Sequence, residues 1–267
     1  MRVLLRSTLN RFPLLKRILK SIVLRSMSAI GMSHDYIQLR EKDVQSESKR
    51  LRDAWQSQDV PVKQRELVDA ALAAYRRGAQ VDVFDVMVRA LRELPTHLPS
   101  MTVLEVGCSS GYYSEVFEIA SLGIHYHGCD YSEAFVELAH QKYPALCFDV
   151  EDGTALKYGN DAFDIVISGC CLLHIPEYQI AVAQTARVAR CYAIFHRTPV
   201  VLGQPNRYYR KQGYGVEMVE IHFNEPEFIE LLKRHGLELI ATYTLHESVK
   251  ENVGSACRTY VCKKIID

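Results

Sequence analysis

Three carboxylates and one tight turn carry the chemistry most open to reading in this chain of 267 residues. The apolar run Val103-Leu104-Glu105-Val106 holds an acid near its end and runs into Gly107-Cys108-Ser109-Ser110-Gly111, after which Tyr112 opens an amphipathic segment. Small residues let backbone pass close to a ligand, and a strand–turn–helix unit brings helix-terminal amides beside it. Asp130 closes the next apolar run, Ile124-His125-Tyr126-His127-Gly128-Cys129. A carboxylate in that place can accept two hydroxyl hydrogen bonds, which is the chemistry that grips a ribose. The third acid lies in Phe148-Asp149-Val150-Glu151-Asp152-Gly153, where Asp149 and Asp152 are the two possible registers. His174 and His196, each just past an apolar run, are the candidate general bases, and Arg197 is suited to holding an anion.

These residues need elements that bring them to one edge. From residue 101 the pattern alternates, with strands expected at 102–106, 124–129, 145–149, 163–168 and 191–196 and helices near 112–121, 132–141 and 177–189. A helix at 225–235 and strands near 237–243 and 257–263 follow. That rhythm predicts an α/β fold with a doubly wound, mostly parallel sheet whose ligand lies beyond the carboxyl ends of the strands. Residues 35–99 read as a helical cap: Leu67, Ala70, Ala71 and Ala74 recur at helical spacing, as do Phe84, Met87, Val88 and Leu91. Gly78 separates the two helices and Pro95 ends the second. Trp55 and Tyr75 could line a substrate pocket under this cap, but packing in its core is the preferred reading. Residues 198–224, rich in Gly, Tyr and Arg, read as a long substrate loop or lid, at whose end Glu220 and His222 stand two apart.

Composition narrows the partners. The chain is 48% hydrophobic with 32 basic and 32 acidic side chains, an ordered globular composition. Seven of the basic groups fall in residues 1–30, which hold no acid, so the remainder carries 25 basic against 32 acidic groups, a net of −7. An acidic body disfavours nucleic acid as a partner, because phosphate contacts need clustered Lys and Arg. In residues 1–34, Leu5, Leu9, Phe12, Leu15, Leu19, Ile22 and Val23 share one side of a helical wheel, with Arg2, Arg6, Arg17 and Lys20 nearly opposite, whereas Arg11 and Lys16 blur the pattern. The run is too broken to span a bilayer, and it suits an interfacial helix, a packed helix or a targeting peptide. A cytoplasmic protein, peripheral to the membrane if that segment binds it, is the expectation. The eight cysteines include no C-x-x-C pair and the histidines form no metal motif, so free thiols and no metal are expected, and the oligomeric state is left open.

Over residues 100–200, and in topology to about 263, the chain resembles the class I S-adenosylmethionine-dependent methyltransferases. The family's acid-x-Gly-x-Gly-x-Gly stands here as Glu105-Val106-Gly107-Cys108-Ser109-Ser110-Gly111, with Ser109 in place of the middle glycine. The resemblance implies a seven-stranded Rossmann-like methyltransferase sheet and S-adenosylmethionine as cofactor. Gly107, Ser109 and Gly111 would lie against its methionine part with Glu105 supporting them, Asp130 would hold the ribose hydroxyls, and Asp152 would sit near the adenine amino group. The stretch from Phe163 to Ile175 resembles the family's segment after the fourth strand and would bring Gly169 and Cys170 to the sulfonium. A nicotinamide enzyme is disfavoured, since G-x-G-x-x-G is absent and no second mononucleotide half follows. Arg197-Thr198-Pro199, the stretch from Asn224 to Ile229, and Gly236-Leu237-Glu238-Leu239 also resemble a bacterial methyltransferase group found in cell-surface polysaccharide gene clusters. That likeness implies a saccharide or other small-molecule acceptor, methylated at a hydroxyl oxygen. The alternatives are a lipid-linked or protein acceptor, or a non-catalytic binding subunit of the same fold.

Overall fold

The computed structural model describes residues 36–250 and 253–265, so the basic segment 1–34 lies outside the described residues. Five parallel strands form the centre: β2 (Thr102–Val106), β3 (His125–Asp130), β4 (Cys147–Val150), β5 (Phe163–Gly169) and β6 (Ala189–Val201). Their order is β4-β3-β2-β5-β6, and β10 (Val253–Lys264) continues it antiparallel to β6, with β9 (Leu237–Lys250) antiparallel to β10. The expected seven strands are present, with β10 the one reversed among them, but the sheet is larger than expected: three further strands joined through β6 bring it to ten.

Alternate side chains along the strands explain the two layers of helix. Val103, Ile165 and Ile167 pack into one apolar cluster with Phe84, Met87, Val116 and Val136. Leu104, Val106 and Val166 pack into the other with Val182, Ala186, Phe228 and Leu232. The first layer holds α2 (Val60–Arg76), α3 (Asp82–Arg92), α4 (Tyr112–Ile119) and α5 (Glu133–Lys142). The second holds α6 (Tyr178–Val188) and α7 (Glu225–Arg234), and α1 (Glu41–Asp53) adds Leu51 to it. Asn224 caps α7 by accepting from the Glu227 amide, so the helix begins where Pro226 can no longer continue the strand ladder.

Residues 198–224 are not a loop. β6 runs on to Val201, and β7 (Arg207–Gly213) and β8 (Val216–Asn224) form a hairpin closed by Tyr214-Gly215. Both turn residues have positive φ, 54° and 85°, as a tight two-residue hairpin requires. The hairpin joins the main sheet through two parallel pairs, Val200 with Phe223 and Val201 with Asn224, and β1 (Tyr36–Gln38) covers its outer edge. Its tyrosines and cations are strand residues half-buried under α1, which is why their polarity resembled that of a loop. All eight cysteines are free, and among the described residues no cluster could hold a metal ion and no helix is long and apolar enough to cross a membrane.

Candidate active site

A cavity of about 340 Å³ opens at the carboxyl ends of β2, β3, β5 and β6, roofed by the cap and the hairpin. Its floor is the turn after β2. Gly107, Ser109 and Gly111 adopt φ of 72°, 48° and 71°. A Cβ on Gly107 would stand 2.2 Å from Cys171 Cβ, so no side chain fits there. Serine at 109 tolerates the left-handed region at some cost, and its side chain lines the cavity.

The turn is tied to Asp130. The Ser109 amide donates to Asp130 Oδ2 at 2.8 Å and the Ser132 amide to Oδ1 at 3.0 Å. Each oxygen keeps a second lone pair for a ligand hydroxyl. Burial raises the Asp130 pKa to about 6, against the lowering effect of those amides. Glu105 is 1% exposed and stands behind the wall, where Tyr126 Oη donates to it at 2.5 Å and burial holds its carboxyl well above the usual range. A Cβ on Gly169 would come within 2.3 Å of Glu105 Oε1, so this acid fixes the end of β5, which carries Gly169 and Cys170 into the cavity wall.

Asp152 lines the cavity and Asp149 does not, which separates the two registers. Asp149 is occupied at the other side of the strand by His127 and Tyr158. Burial pulls the Asp152 carboxyl upward, but the Thr154 amide and hydroxyl and the Arg52 guanidinium outweigh it and leave it below the ordinary range. The Arg52 contact, 2.5 Å, also locks α1 of the cap onto the core.

The two histidines part company. His174 lines the cavity beside Trp55, whose ring centre is 4.8 Å away. Its Nδ1 lies 2.6 Å from the Val219 carbonyl, to which it must donate, leaving Nε2 as an acceptor. Burial lowers its pKa to about 4, so the ring is neutral at physiological pH. His196 does not line the cavity. It is 1% exposed, with Nε2 2.8 Å from Tyr113 Oη and Nδ1 2.8 Å from Thr259 Oγ1, and no ring nitrogen remains for a substrate. A bulge accounts for this: Phe195 pairs with Tyr260 and Thr198 with Arg258, so His196 and Arg197 both oppose Thr259. His196 turns into the core and Arg197, at φ 55°, into the cavity.

Several lining residues escaped sequence reading. Trp55 belongs to the wall and not to the core of the cap, whereas Tyr75 does pack in the core, edge-on to Phe84. Arg52, Gln64, Tyr112, Lys211 and Tyr214 also line the cavity. The one available signal was the lone tryptophan of the chain in a charged, weakly apolar segment. Glu220 and His222 do face the cavity together, 3.0 Å apart, with Lys211 on the second oxygen of Glu220.

The fit to a nucleoside ligand rests on unsatisfied groups. Trp55 Nε1, Gln64 Oε1 and Ser109 Oγ are buried without a hydrogen-bond partner, and all three residues line this cavity. Buried polar atoms are nearly always paired, so three in one wall mark a place a polar ligand completes.

Residues 104–195 match the family model of the methyltransferase domain. No curated protein matches the chain. Among solved structures, magnesium protoporphyrin IX methyltransferase from Synechocystis PCC 6803, with bound S-adenosylhomocysteine, is similar at 20% identity and a TM-score of 0.53, over 81% of this chain and 99% of that one. A Burkholderia thailandensis 1,6-didemethyltoxoflavin-N1-methyltransferase is similar at 17% identity and a TM-score of 0.52, over 88% and 99%. At such identities these likenesses establish the fold, while the domain match and the cavity carry the chemistry. Residues 104–195 thus form a methyltransferase domain, and the fold around them is that of S-adenosylmethionine-dependent methyltransferases.

Proposed function

We propose that the chain methylates a small-molecule acceptor at a hydroxyl oxygen, with a saccharide as the first candidate. The observation that carries the reading is the trio of unpartnered polar atoms in a cavity floored by the turn at 107–111 and Asp130. S-adenosylmethionine, when bound, supplies a sulfonium methyl group open to in-line attack. Asp130 takes the ribose hydroxyls, the backbone at Gly107, Ser109 and Gly111 takes the methionine part, and Asp152 stands at the adenine end. Glu105 keeps Gly169 and Cys170 in place toward the sulfonium.

On the acceptor side, His174 offers a neutral Nε2 toward the cavity. A ring with a pKa near 4 is a weak base, so its contribution is to accept the acceptor hydroxyl hydrogen bond and align the oxygen. Trp55, Tyr112 and Tyr214 supply apolar faces with polar edges, which suits the ring of a sugar or another small cyclic acceptor. The two similar structures are methyltransferases of magnesium protoporphyrin IX and of 1,6-didemethyltoxoflavin, which supports a small molecule over a macromolecule. A basic apolar segment at 1–30 would suit a lipid-linked form of such an acceptor, with peripheral membrane contact.

Labelled methyl transfer to a panel of free sugars, sugar nucleotides and phenols tests the reading. A labelled ether on one of these classes is expected. Label found only on protein or in a lipid extract would replace the free small-molecule acceptor by one of its rivals.

A further inference from the structure

Three cations face the cavity: Arg52, Lys211 and Arg197. Arg52 is paired with Asp152, and Lys211 lies 3.0 Å from Glu220. Arg197 has no ion-pair or hydrogen-bond partner among the described residues, and the ionisable groups around it include the thiols of Cys170 and Cys257 and the phenols of Tyr112 and Tyr113. A half-buried guanidinium in a cavity wall without a counter-charge is costly unless a ligand supplies one.

Its placement is built. The bulge that sets His196 and Arg197 against Thr259 gives β6 one extra residue, and the left-handed φ of 55° turns Arg197 out of the ladder. Non-glycine residues adopt that conformation at a cost, and bulges beside active sites characteristically re-aim a side chain. The same wall carries Tyr214 from the hairpin turn and His174, the residue assigned to the acceptor oxygen.

We infer that the acceptor carries an acidic group, a carboxylate or a phosphate ionised at neutral pH, which Arg197 holds while the acceptor hydroxyl meets the methyl group. A planar guanidinium can take either oxyanion with two parallel hydrogen bonds, fixing orientation as well as charge. The inference rests on the methyl-transfer reading above and narrows its acceptors to acids such as uronic acids, sugar phosphates and hydroxy acids. The competing oxyanion is the carboxylate of the cofactor itself.

The full chain, given methyl-tritiated S-adenosylmethionine and a small-molecule extract of the producing cells, tests this when the products are resolved on an anion exchanger. The labelled product is expected to be retained as an anion, and phosphatase treatment then releases a phosphate ester but leaves a carboxylate retained. Arg197→Gln is expected to cut transfer by at least about tenfold, the scale of one lost charged hydrogen bond. S-adenosylhomocysteine affinity, read by calorimetry, should stay within about threefold of the parent, which also shows that the variant is folded. Arg197→Lys should retain part of the transfer. Label in a neutral or cationic fraction overturns the inference while leaving methyl transfer standing. A loss of more than about tenfold in cofactor affinity in Arg197→Gln overturns it by placing Arg197 on the cofactor carboxylate. No labelled product from the parent contradicts the methyl-transfer reading itself, and the inference falls with it.

Discussion

The Ser109 amide donates to Asp130 Oδ2 at 2.8 Å, so the turn after β2 and the acid ending β3 form one hydrogen-bonded unit. The Gly107 and Cys108 amides extend it, donating to the Cys129 carbonyl at 2.8 and 3.0 Å. Whatever occupies the cavity therefore meets a floor already assembled, with its anionic group fixed in place.

That unit makes cofactor binding depend on pH. Asp130 titrates at about 6 in the free protein because burial disfavours its charge. Ribose hydroxyls donate to the ionised carboxylate and so lower that pKa on binding. Affinity for S-adenosylhomocysteine should be full above about pH 7 and fall as the pH drops through 6, approaching about tenfold per unit below it. Calorimetric titrations across that range check the sign. Affinity that rises toward acid pH would remove the carboxylate from the ribose.

The turn should not accept a side chain at its first glycine. Gly107→Ala combines a φ of 72° with a Cβ 2.2 Å from Cys171 Cβ, so a loss of about 2 kcal/mol or more in urea unfolding is expected. Gly159→Ala is the control, since nothing lies within 4 Å of its added Cβ, and it should change stability by less than about 0.5 kcal/mol. Equal stability of the two variants would mean that the turn is open enough to move.

The two histidines should fail in different ways. His196→Ala strands the buried hydroxyls of Tyr113 and Thr259, and a stability loss of about 1–3 kcal/mol is expected for each left unpaired. His174→Ala should lower turnover with cofactor affinity nearly intact. Because burial holds His174 near 4, its neutral form prevails above that value and no loss of rate is expected from it between about pH 6 and 8. A rate that falls below pH 6.5 in the parent but not in His174→Ala would show that the ring titrates normally in the complex.

How far the sequence could be read follows from what each residue type permits. The strand–turn–helix at 102–119 and the acid at 130 were legible because the period of apolar residues and the small-residue turn admit few other folds. Asp152 was preferred to Asp149 only through the family resemblance, since two acids three residues apart at a strand end look alike in the sequence; of the two, Asp152 lines the cavity. The hairpin at 207–224 was not legible: its strands alternate polar and apolar residues weakly, because one face lies under α1 and the other under cavity groups. Tyr214-Gly215 was the overlooked turn signal. His196 and Arg197 could not be told apart, since a bulge that swaps which of two neighbours faces inward leaves no mark in periodicity. Trp55 was assigned to the core of the cap because a helix-spaced aromatic usually packs there. Only the folded roof shows Trp55 lining the cavity with its Nε1 unpartnered.

The central claim is that this cavity holds S-adenosylmethionine through Asp130, and calorimetric titration of S-adenosylhomocysteine into the parent and Asp130→Ala tests it most directly. One-to-one binding by the parent is predicted, weakened in the variant by about 1.5–3 kcal/mol for the lost charged hydrogen bonds. Binding unchanged within about twofold in Asp130→Ala would contradict the ribose assignment, and NADH bound tightly in place of S-adenosylhomocysteine would contradict the account as a whole.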